Sequence, residues 1–470
     1  MELMMGEPRM NGLVPRGPPE PEQSQAELAG FLPRPPLGKQ AVQFSDFEGK
    51  TSLGMSMFNL SNAIMGSGIL GLAYAMANTG VLLFLVLLLC MALLSAYSIH
   101  LLLTCAGFVG IRAYEELGRR AFGISGNVAV AGVICLHNIG AMSSYLYIIK
   151  SELPLVIETF LDSKTTDSSP WFLDGNVLIV LVSVGIVLPL ALMRHLGYLG
   201  YTSGLSLTCM VFFLASVIYK KFSMECPLTS GNWTTRPAQV LNDTCEVHFF
   251  TINSQTAYTI PILAFAFVCH PEVLPIYTEL RRPSQRRMQA VANMSIGAMF
   301  LMYGLTATFG YLTFFGHVEA EMLHMYSQDL LILCVRLAVL MAVTLTIPVV
   351  LFPIRRAIQQ LLFPTKAFSW TRHGTIALGL LALVNVLVIF VPDIRDIFGV
   401  IGATSAPSLI FILPSIFYIR IIPRDREALA SRPKLQAIAF MALGVVIMAM
   451  SLGFIFTDWA VTGQSRGAGH

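Results

Sequence analysis

Three glycines and a serine interrupt the first long apolar segment of the chain, in Gly66-Ser67-Gly68-Ile69-Leu70-Gly71. Each glycine in a helix interior costs about 1 kcal/mol relative to alanine. In a bilayer, the backbone groups that such a break frees are tolerated only where they line a cavity enclosed by protein. Half-helix ends in such a cavity can hold a small zwitterion and a cation. The motif therefore predicts a transport site.

A second interruption lies in the sixth apolar segment, at Phe267-Val268-Cys269-His270-Pro271-Glu272. Pro271 removes a backbone donor and clashes with the preceding turn. His270 and Glu272 are costly in lipid, so we expect them to face a cavity or other protein groups. Taken separately, the two motifs could be a packing glycine motif and a proline kink. Together, five spans apart, they favour an inverted-repeat transporter whose site lies halfway through the membrane.

The composition places most of the chain in a bilayer. Of its 470 residues, 55% are hydrophobic and only 12% are charged, with a mean hydropathy of +0.68. Soluble domains carry roughly one quarter charged residues. Residues 1–50 are polar and rich in proline, which predicts a disordered cytoplasmic tail without a signal peptide. No basic tract with interleaved aromatic residues indicates a nucleic-acid partner.

The spacing of apolar segments predicts an all-α polytopic membrane protein. Because about 20 apolar residues cross the hydrocarbon core, the sequence predicts eleven transmembrane helices in a domain of residues 51–458. Helices one to five (53–219) and six to ten (255–421) would form an inverted five-plus-five repeat, with an added eleventh helix and a short tail, 459–470. The predicted spans are 53–77, 79–106, 127–149, 173–193, 197–219, 255–278, 289–315, 328–353, 374–391, 397–421 and 435–457.

The loops predict the orientation. One set of loops holds most of the lysines and arginines, including the run Arg281-Arg282-Pro283-Ser284-Gln285-Arg286-Arg287, so these loops and the N-terminus are expected in the cytoplasm and the C-terminus outside. The opposite loop, 220–254, carries two glycosylation sequons, at Asn232 and Asn242. Cys226 and Cys245 in that loop could form a disulfide in an oxidising compartment or remain free thiols. A lysosomal lumen would suit this loop as well as the outside of the plasma membrane.

The first break offers donors for an anion. Backbone N–H groups over Gly66, Ser67 and Gly68 lie near a half-helix N-terminus and suit the carboxylate of an amino acid, with the Ser67 hydroxyl as a further donor. Carbonyls of the second break, including those of Phe267 and Cys269, could accept from the α-ammonium group. The two breaks together predict a binding site for a small amino acid.

Hydroxyl and amide oxygens near the first break predict a sodium site, because hard cations take several oxygen ligands. Asn62 lies one helical turn before the break and could also contact the substrate, while Thr344 and Thr346 precede Pro348 in span eight. A threonine in a membrane helix could equally bond back to its own helix. An amide facing lipid would be left unsatisfied, which favours a functional role for Asn62.

Proton coupling has three candidates at membrane depth, His137, His270 and Glu272. Histidine titrates in the physiological range, although a buried histidine can equally be a hydrogen-bonded packing residue. Arg336, two turns into span eight, is expected to pair with an acid or to snorkel outward.

The segment Asn59-Leu60-Ser61-Asn62-Ala63-Ile64-Met65-Gly66-Ser67-Gly68-Ile69-Leu70-Gly71 resembles the first-helix signature of the sodium-coupled neutral amino acid transporters, in the amino acid/auxin permease superfamily, and the chain most resembles their system N branch. Further matching stretches are Gly140–Tyr145, Ala266–Glu272, Ala342–Val349 and Ile401–Pro407. The resemblance implies an eleven-span fold like that of bacterial leucine transporters, glutamine-type substrates (glutamine, asparagine, histidine, serine or glycine), sodium symport, proton antiport and the plasma membrane. It also implies sodium ligation by the residues at Asn62 and Thr344.

Other function classes are disfavoured. The spans lack a His-Glu-x-x-His motif, a clustered aspartate pair and a Gly-x-Ser-x-Gly elbow, so we expect no enzyme. The span count argues against a seven-helix receptor, and no filter-like loop or charged ring indicates a channel. A proton-coupled carrier without sodium dependence remains an alternative. We expect a monomer that needs no cofactor besides sodium and protons as coupling ions.

Overall fold

The structure is a computed structural model that describes residues 49, 51–161, 171–192, 199–224, 246–326, 329–362, 369–391 and 393–467. Every described residue belongs to one compact unit, Phe44–His470. The first 48 residues, Cys226, Cys245, Asn232 and Asn242 lie outside the described residues.

Thirteen helices carry the described part of the transmembrane region. They are α1 (Leu53–Ile64), α2 (Gly68–Ala77), α3 (Val81–Val109), α4 (Tyr114–Leu161), α5 (Gly175–Leu192), α6 (Leu199–Ser223), α7 (Thr259–Ala266), α8 (His270–Glu279), α9 (Gln285–Phe314), α10 (Leu330–Leu362), α11 (Trp370–Phe390), α12 (Ile394–Ile421) and α13 (Arg432–Gly467). Short π-helical turns, Ser183–Val187 and Ser408–Ile412, interrupt α5 and α12. Within α4, Phe122 and Gly123 depart from helical geometry and separate its first two turns from the long span.

These helices form the eleven spans that the sequence predicts. Among the described residues, ten helical segments are long and apolar enough to cross a membrane. The pair α1 and α2, bent by 55° at its break, makes an eleventh. The helix α13 continues to Gly467, so part of the predicted C-terminal tail is a helical extension. Many large apolar side chains remain exposed, including those of Leu93, Leu301 and Phe390, and such a surface suits lipid contact.

The two broken spans follow from their sequences. The Ser52 side chain caps α1 by accepting from the Met55 N–H, and α1 ends where Met65 leaves helical geometry at φ −75° and ψ 78°. In the sixth span, α7 gives way at Phe267 and α8 begins after Cys269. Pro271 lies in the first turn of α8, where the missing N–H is not needed. It therefore begins a half-helix and does not kink a continuous one.

Backbone contacts lie at both ends of the helices. We call the end with the predicted loop 220–254 the long-loop face, and the opposite end, with residues 51 and 280, the short-loop face. The short-loop face carries the pairing of Thr51 with Leu280, in which the Thr51 N–H donates to the Glu279 carbonyl and the Arg281 N–H donates to the Thr51 carbonyl, each at 2.9 Å. The long-loop face carries residues 248–251, which pair with residues 79–82. These contacts fasten the entry of the first span to the end of the sixth, and the loop after α6 to the end of α2.

Candidate functional site

A cavity lies beside the break of the first span. The break contributes Gly66 and Ser67, α4 contributes Tyr145, α6 contributes Ser206, and α10 contributes Thr346. The remaining lining residues are mainly apolar: Met65, Ile69, Leu70, Ile148, Met210, Val339, Ala342 and Val343. About 10 Å³ is open to the centre of a water molecule, which is the space of roughly one water. The cavity is therefore too small in this conformation for an organic solute, which would require the surrounding helices to separate.

Close packing explains two of the glycines at the break. A Cβ on Gly66 would lie 3.0 Å from the Tyr145 hydroxyl, and a Cβ on Gly68 would lie 3.2 Å from the Cα and Cβ of Ala266. Any larger residue at position 68 would push the first span away from the sixth. The glycines thus let the two broken spans approach each other where both lose their helical geometry.

The donors for an anion begin at Ser67. The Gly66 N–H donates to the Ile64 carbonyl at 2.8 Å and is already engaged. The first N–H groups of α2 have no partner within their own helix, as at every helix start. The Ser67 side chain is 2% exposed, and its hydroxyl is hydrogen-bonded to that of Ser144. An anion here would be met by the amides of Ser67 and Gly68, with the serine hydroxyl beside them.

Tyr303 joins the two breaks. Its hydroxyl lies 2.8 Å from the Ile64 carbonyl and 3.0 Å from the Ala266 carbonyl, and its ring packs edge-on against Phe267 at a centroid distance of 5.4 Å. Phe267 and Cys269 are completely buried at the second break, outside the residues that line the cavity. The second break is therefore held against the first by a tyrosine that the sequence analysis did not single out.

The candidate cation ligands differ in where they lie. Asn62 is 2% exposed, and its Oδ1 makes no hydrogen bond within the described part of the chain. Thr346 lines the cavity, where its hydroxyl donates to the Ala342 carbonyl at 2.8 Å and lies 3.5 Å from the Ser206 hydroxyl. Thr344 is half-buried and does not line the cavity. Thr346 is therefore the candidate ligand at the cavity, whereas Asn62 is buried in the last turn of α1, outside the lining residues.

The two buried histidines bind different hydroxyls. His137 Nδ1 lies 3.2 Å from the Ser405 hydroxyl on α12, and His270 Nε2 lies 2.9 Å from the Ser98 hydroxyl on α3. The remaining ring nitrogen Nδ1 of His270 has no hydrogen-bond partner among the described residues. Glu272 lies in the first turn of α8, with its N–H bonded to the Cys269 carbonyl. The structure therefore places these three candidates beside the second break without bringing them into one cluster.

Arg336 pairs with an acid and does not snorkel outward, which was the other predicted alternative. Its Nε lies 2.8 Å from Oε2 of Glu152 on α4, and both side chains are buried. The sequence did not predict roles for Glu152, Tyr145, Ser206 and Tyr303. A signal for Tyr145 was present, because it ends the polar stretch Gly140–Tyr145 inside an apolar span. Ser206 and Tyr303 carry no such signal, since single hydroxyls are common in membrane helices.

The chain matches one protein-family model. The model is described as "Transmembrane amino acid transporter protein" and matches residues 49–457, which is almost the whole of the described region.

Two solved structures share the fold. "Inward facing conformation of Mhp1" is 13% identical in sequence, covers 87% of this chain and 92% of that chain, and has a TM-score of 0.55. "Substrate-bound outward-open state of a Na+-coupled sialic acid symporter reveals a novel Na+-site" is 12% identical, covers 88% and 91%, and has a TM-score of 0.52. Similarity at this level concerns the fold alone, and it confirms the predicted leucine-transporter-like architecture.

Proposed function

The chain belongs to the transmembrane amino acid transporter family, and we propose that it carries small neutral amino acids of the glutamine type in symport with sodium and in exchange for a proton. The family and the shared fold identify a secondary transporter in a multi-pass membrane protein, and not an enzyme. The substrate, the coupling ions, the plasma-membrane location and the monomeric state are our proposals.

One observation carries the proposal: the break of the first span, which Tyr303 joins to the second break, lines a cavity that combines helix-start amides with the hydroxyls of Ser206 and Thr346. The amides of Ser67 and Gly68 would receive the substrate carboxylate, since a helix N-terminus favours negative charge. Carbonyls of residues 266–269 would accept from the α-ammonium group once the second break comes within reach of the cavity, which none of these residues lines in this conformation. The protein then needs no charged side chain to bind the carboxylate and ammonium groups of a neutral amino acid.

Sodium would lie between α1 and α10. We assign Asn62 Oδ1 and the Thr346 hydroxyl as ligands, because the first is buried without a partner and the second faces the cavity. Thr344 is the ligand that the family resemblance implies; because it lies about 200° around the helix axis from Thr346, the two threonines are alternative ligands. The proton step is assigned to the group His137, His270 and Glu272, of which His270 retains an unpartnered ring nitrogen.

The long-loop face is proposed to lie outside the cell. Met224 and Glu246 flank the segment that holds Asn232 and Asn242, and residues 248–251 already belong to this face. Glycosylation at these sequons requires this loop to enter the secretory lumen. A shift in electrophoretic mobility after enzymatic deglycosylation, lost when both asparagines become glutamine, would support this orientation.

The deciding experiment is uptake of labelled amino acids into proteoliposomes that contain the purified protein. Glutamine, asparagine, histidine, serine and glycine are each tested with an inward sodium gradient and with choline replacing sodium, at two external pH values. Saturable uptake that requires sodium and rises as external pH rises is expected, because an alkaline exterior favours proton exit. Uptake that persists in choline and rises as external pH falls would support the proton-coupled carrier, whose basis here is the buried histidines and Glu272.

A further inference from the structure

Two buried glutamates and a histidine converge near the long-loop face, away from the transport cavity. Glu152 lies near the end of α4, and Glu321 and His324 lie in the segment between α9 and α10. One ligand atom from each lies within 4.8 Å of the others. We propose that these three side chains bind a divalent transition-metal ion, with zinc as the best fit.

The surrounding groups orient the two carboxylates as a metal site requires. The Ser151 hydroxyl lies 2.9 Å from both carboxylate oxygens of Glu321. Arg336 Nε engages Oε2 of Glu152 and leaves Oε1 directed at His324 Nε2, at 3.4 Å. Glu152 is completely buried, and this Oε1 makes no hydrogen bond within the described residues. Such outer partners fix first-shell ligands and tune their affinity for a metal.

The charge of the cluster leaves room for a cation. With both carboxylates ionised, as metal ligation requires, these two groups and the Arg336 guanidinium would carry a net charge of −1, in surroundings where Glu152 is 0% and Glu321 is 5% exposed. An uncompensated charge in such a place is unfavourable unless it is paired or coordinates a metal. A divalent ion would satisfy the free oxygen of Glu152 and would be held by Glu321 at the same time.

The ligand set selects the metal. Calcium takes six to eight oxygen ligands, whereas an imidazole nitrogen with two carboxylates suits zinc, nickel or cobalt. Zinc accepts three protein ligands and a water in the fourth position. The side chain of His324 is 37% exposed, so the ion and its water could enter past this residue.

Metal binding would tie three elements together. Met322, in the same segment as His324, is buried against α9, since a Cβ on Gly310 would lie 2.3 Å from its sulfur. The segment would thereby be fixed to α4 through Glu152 while it packs over α9. A carrier whose helices must separate during each cycle would be slowed by this link, so zinc on the long-loop side is expected to inhibit uptake.

Direct binding tests the inference without relying on transport. The full-length protein, purified in detergent without a histidine tag, is titrated with zinc chloride in a calorimeter. One equivalent of zinc per chain is expected, and His324→Ala and Glu321→Gln are each expected to weaken it at least about tenfold. His324→Cys should retain zinc binding, because a thiolate is also a zinc ligand. His317→Ala, in the same connecting segment, is the matched control and should bind like the wild type.

The outcomes separate clearly. Titrations that show no single-equivalent site, or equal affinity in the wild type and His324→Ala, would overturn the proposal. Gel-filtration profiles and melting temperatures identify variants that fail to fold. If Glu321→Gln fails to fold, zinc binding by His324→Ala alone tests the proposal, because His324 is partly exposed and its replacement is expected to leave the fold intact. Zinc binding and sodium-driven uptake are measured separately, so failure of one leaves the other interpretable.

Discussion

Asn62 carries a buried amide oxygen that nothing in the described part of the chain satisfies. Leaving such a group unpaired costs about 1–3 kcal/mol, so the residue is expected to have a ligand in the working protein. It lies in the last turn of α1, where the carbonyls of Ser61 and Ile64 already accept hydrogen bonds. A cation at this point would satisfy the Asn62 side chain.

Replacing Asn62 with alanine is therefore expected to weaken sodium activation. Loss of one oxygen ligand worth about 1.4 kcal/mol would raise the half-saturating sodium concentration roughly tenfold, with a smaller effect on uptake at saturating sodium. Asn293→Ala, an exposed amide on α9, is the control and should behave like the wild type. Sodium dependence is measured as initial glutamine uptake over a series of sodium concentrations. An unchanged curve for Asn62→Ala would remove this residue from the sodium site.

Sequence could identify the residue types at the site but not their directions. Thr344 and Thr346 are two residues apart, so they lie on different sides of a helix with 3.6 residues per turn. Only the packing of α10 decides that Thr346 faces the cavity while Thr344 does not line it. The same limit applies to Gly66, whose N–H looked available in sequence and is engaged by Ile64 in the structure.

At the scale of helices, prediction from sequence went further. Glycine and proline inside apolar segments are unfavourable enough to locate both breaks, and the eleven spans follow from the length of apolar runs. The close contacts between helices could not be predicted in this way. A Cβ on Gly402 would lie 2.1 Å from the Pro261 carbonyl, which brings α12 against α7, and this pairing spans more than a hundred residues of chain.

Two glycines on α4 and α12 offer a matched test of these contacts. A Cβ on Gly402 meets rigid backbone at Pro261, whereas a Cβ on Gly140 meets only the side chain of Ile401. Both alanine variants are expected to lower stability by about 1–3 kcal/mol through overpacking. Adding Ile401→Ala should restore much of the loss in Gly140→Ala and little in Gly402→Ala. Gly379→Ala, where a Cβ meets nothing within 4 Å, is the control.

Melting temperatures of the purified variants in one detergent measure this effect. Equal melting temperatures for Gly402→Ala and Gly379→Ala would contradict the close approach of α12 to α7. Rescue of Gly402→Ala by the Ile401 substitution would show that the backbone at Pro261 can yield, and the contact would then be less rigid than described.

At the scale of the whole molecule, hydrogen bonds join distant elements on both faces. On the long-loop face, Gln255 Oε1 accepts from the Tyr74 hydroxyl at 2.9 Å and from Arg395 Nη1 at 2.7 Å. On the short-loop face, Thr51 is paired with the end of α8. These partners lie 181, 140 and 228 residues apart, and such distant side-chain pairings have no signature in a single sequence.

Removing the acceptor on the long-loop face should shift the molecule toward opening there. Gln255→Ala deletes the shared partner of Tyr74 and Arg395, and a loss of about 1 kcal/mol would raise the open population about fivefold. A cysteine introduced at Ser67 reports this opening, because Ser67 is buried beside the cavity in the closed form. A membrane-impermeant thiol reagent is applied to cells, and labelling of the peptide that contains position 67 is followed by mass spectrometry. Gln289→Ala, whose amide bonds to Asn293 on α9, is the control for loss of a glutamine. Faster labelling is expected for Gln255→Ala alone, and equal rates for all three proteins would mean that this hydrogen-bonded group does not hold the path closed.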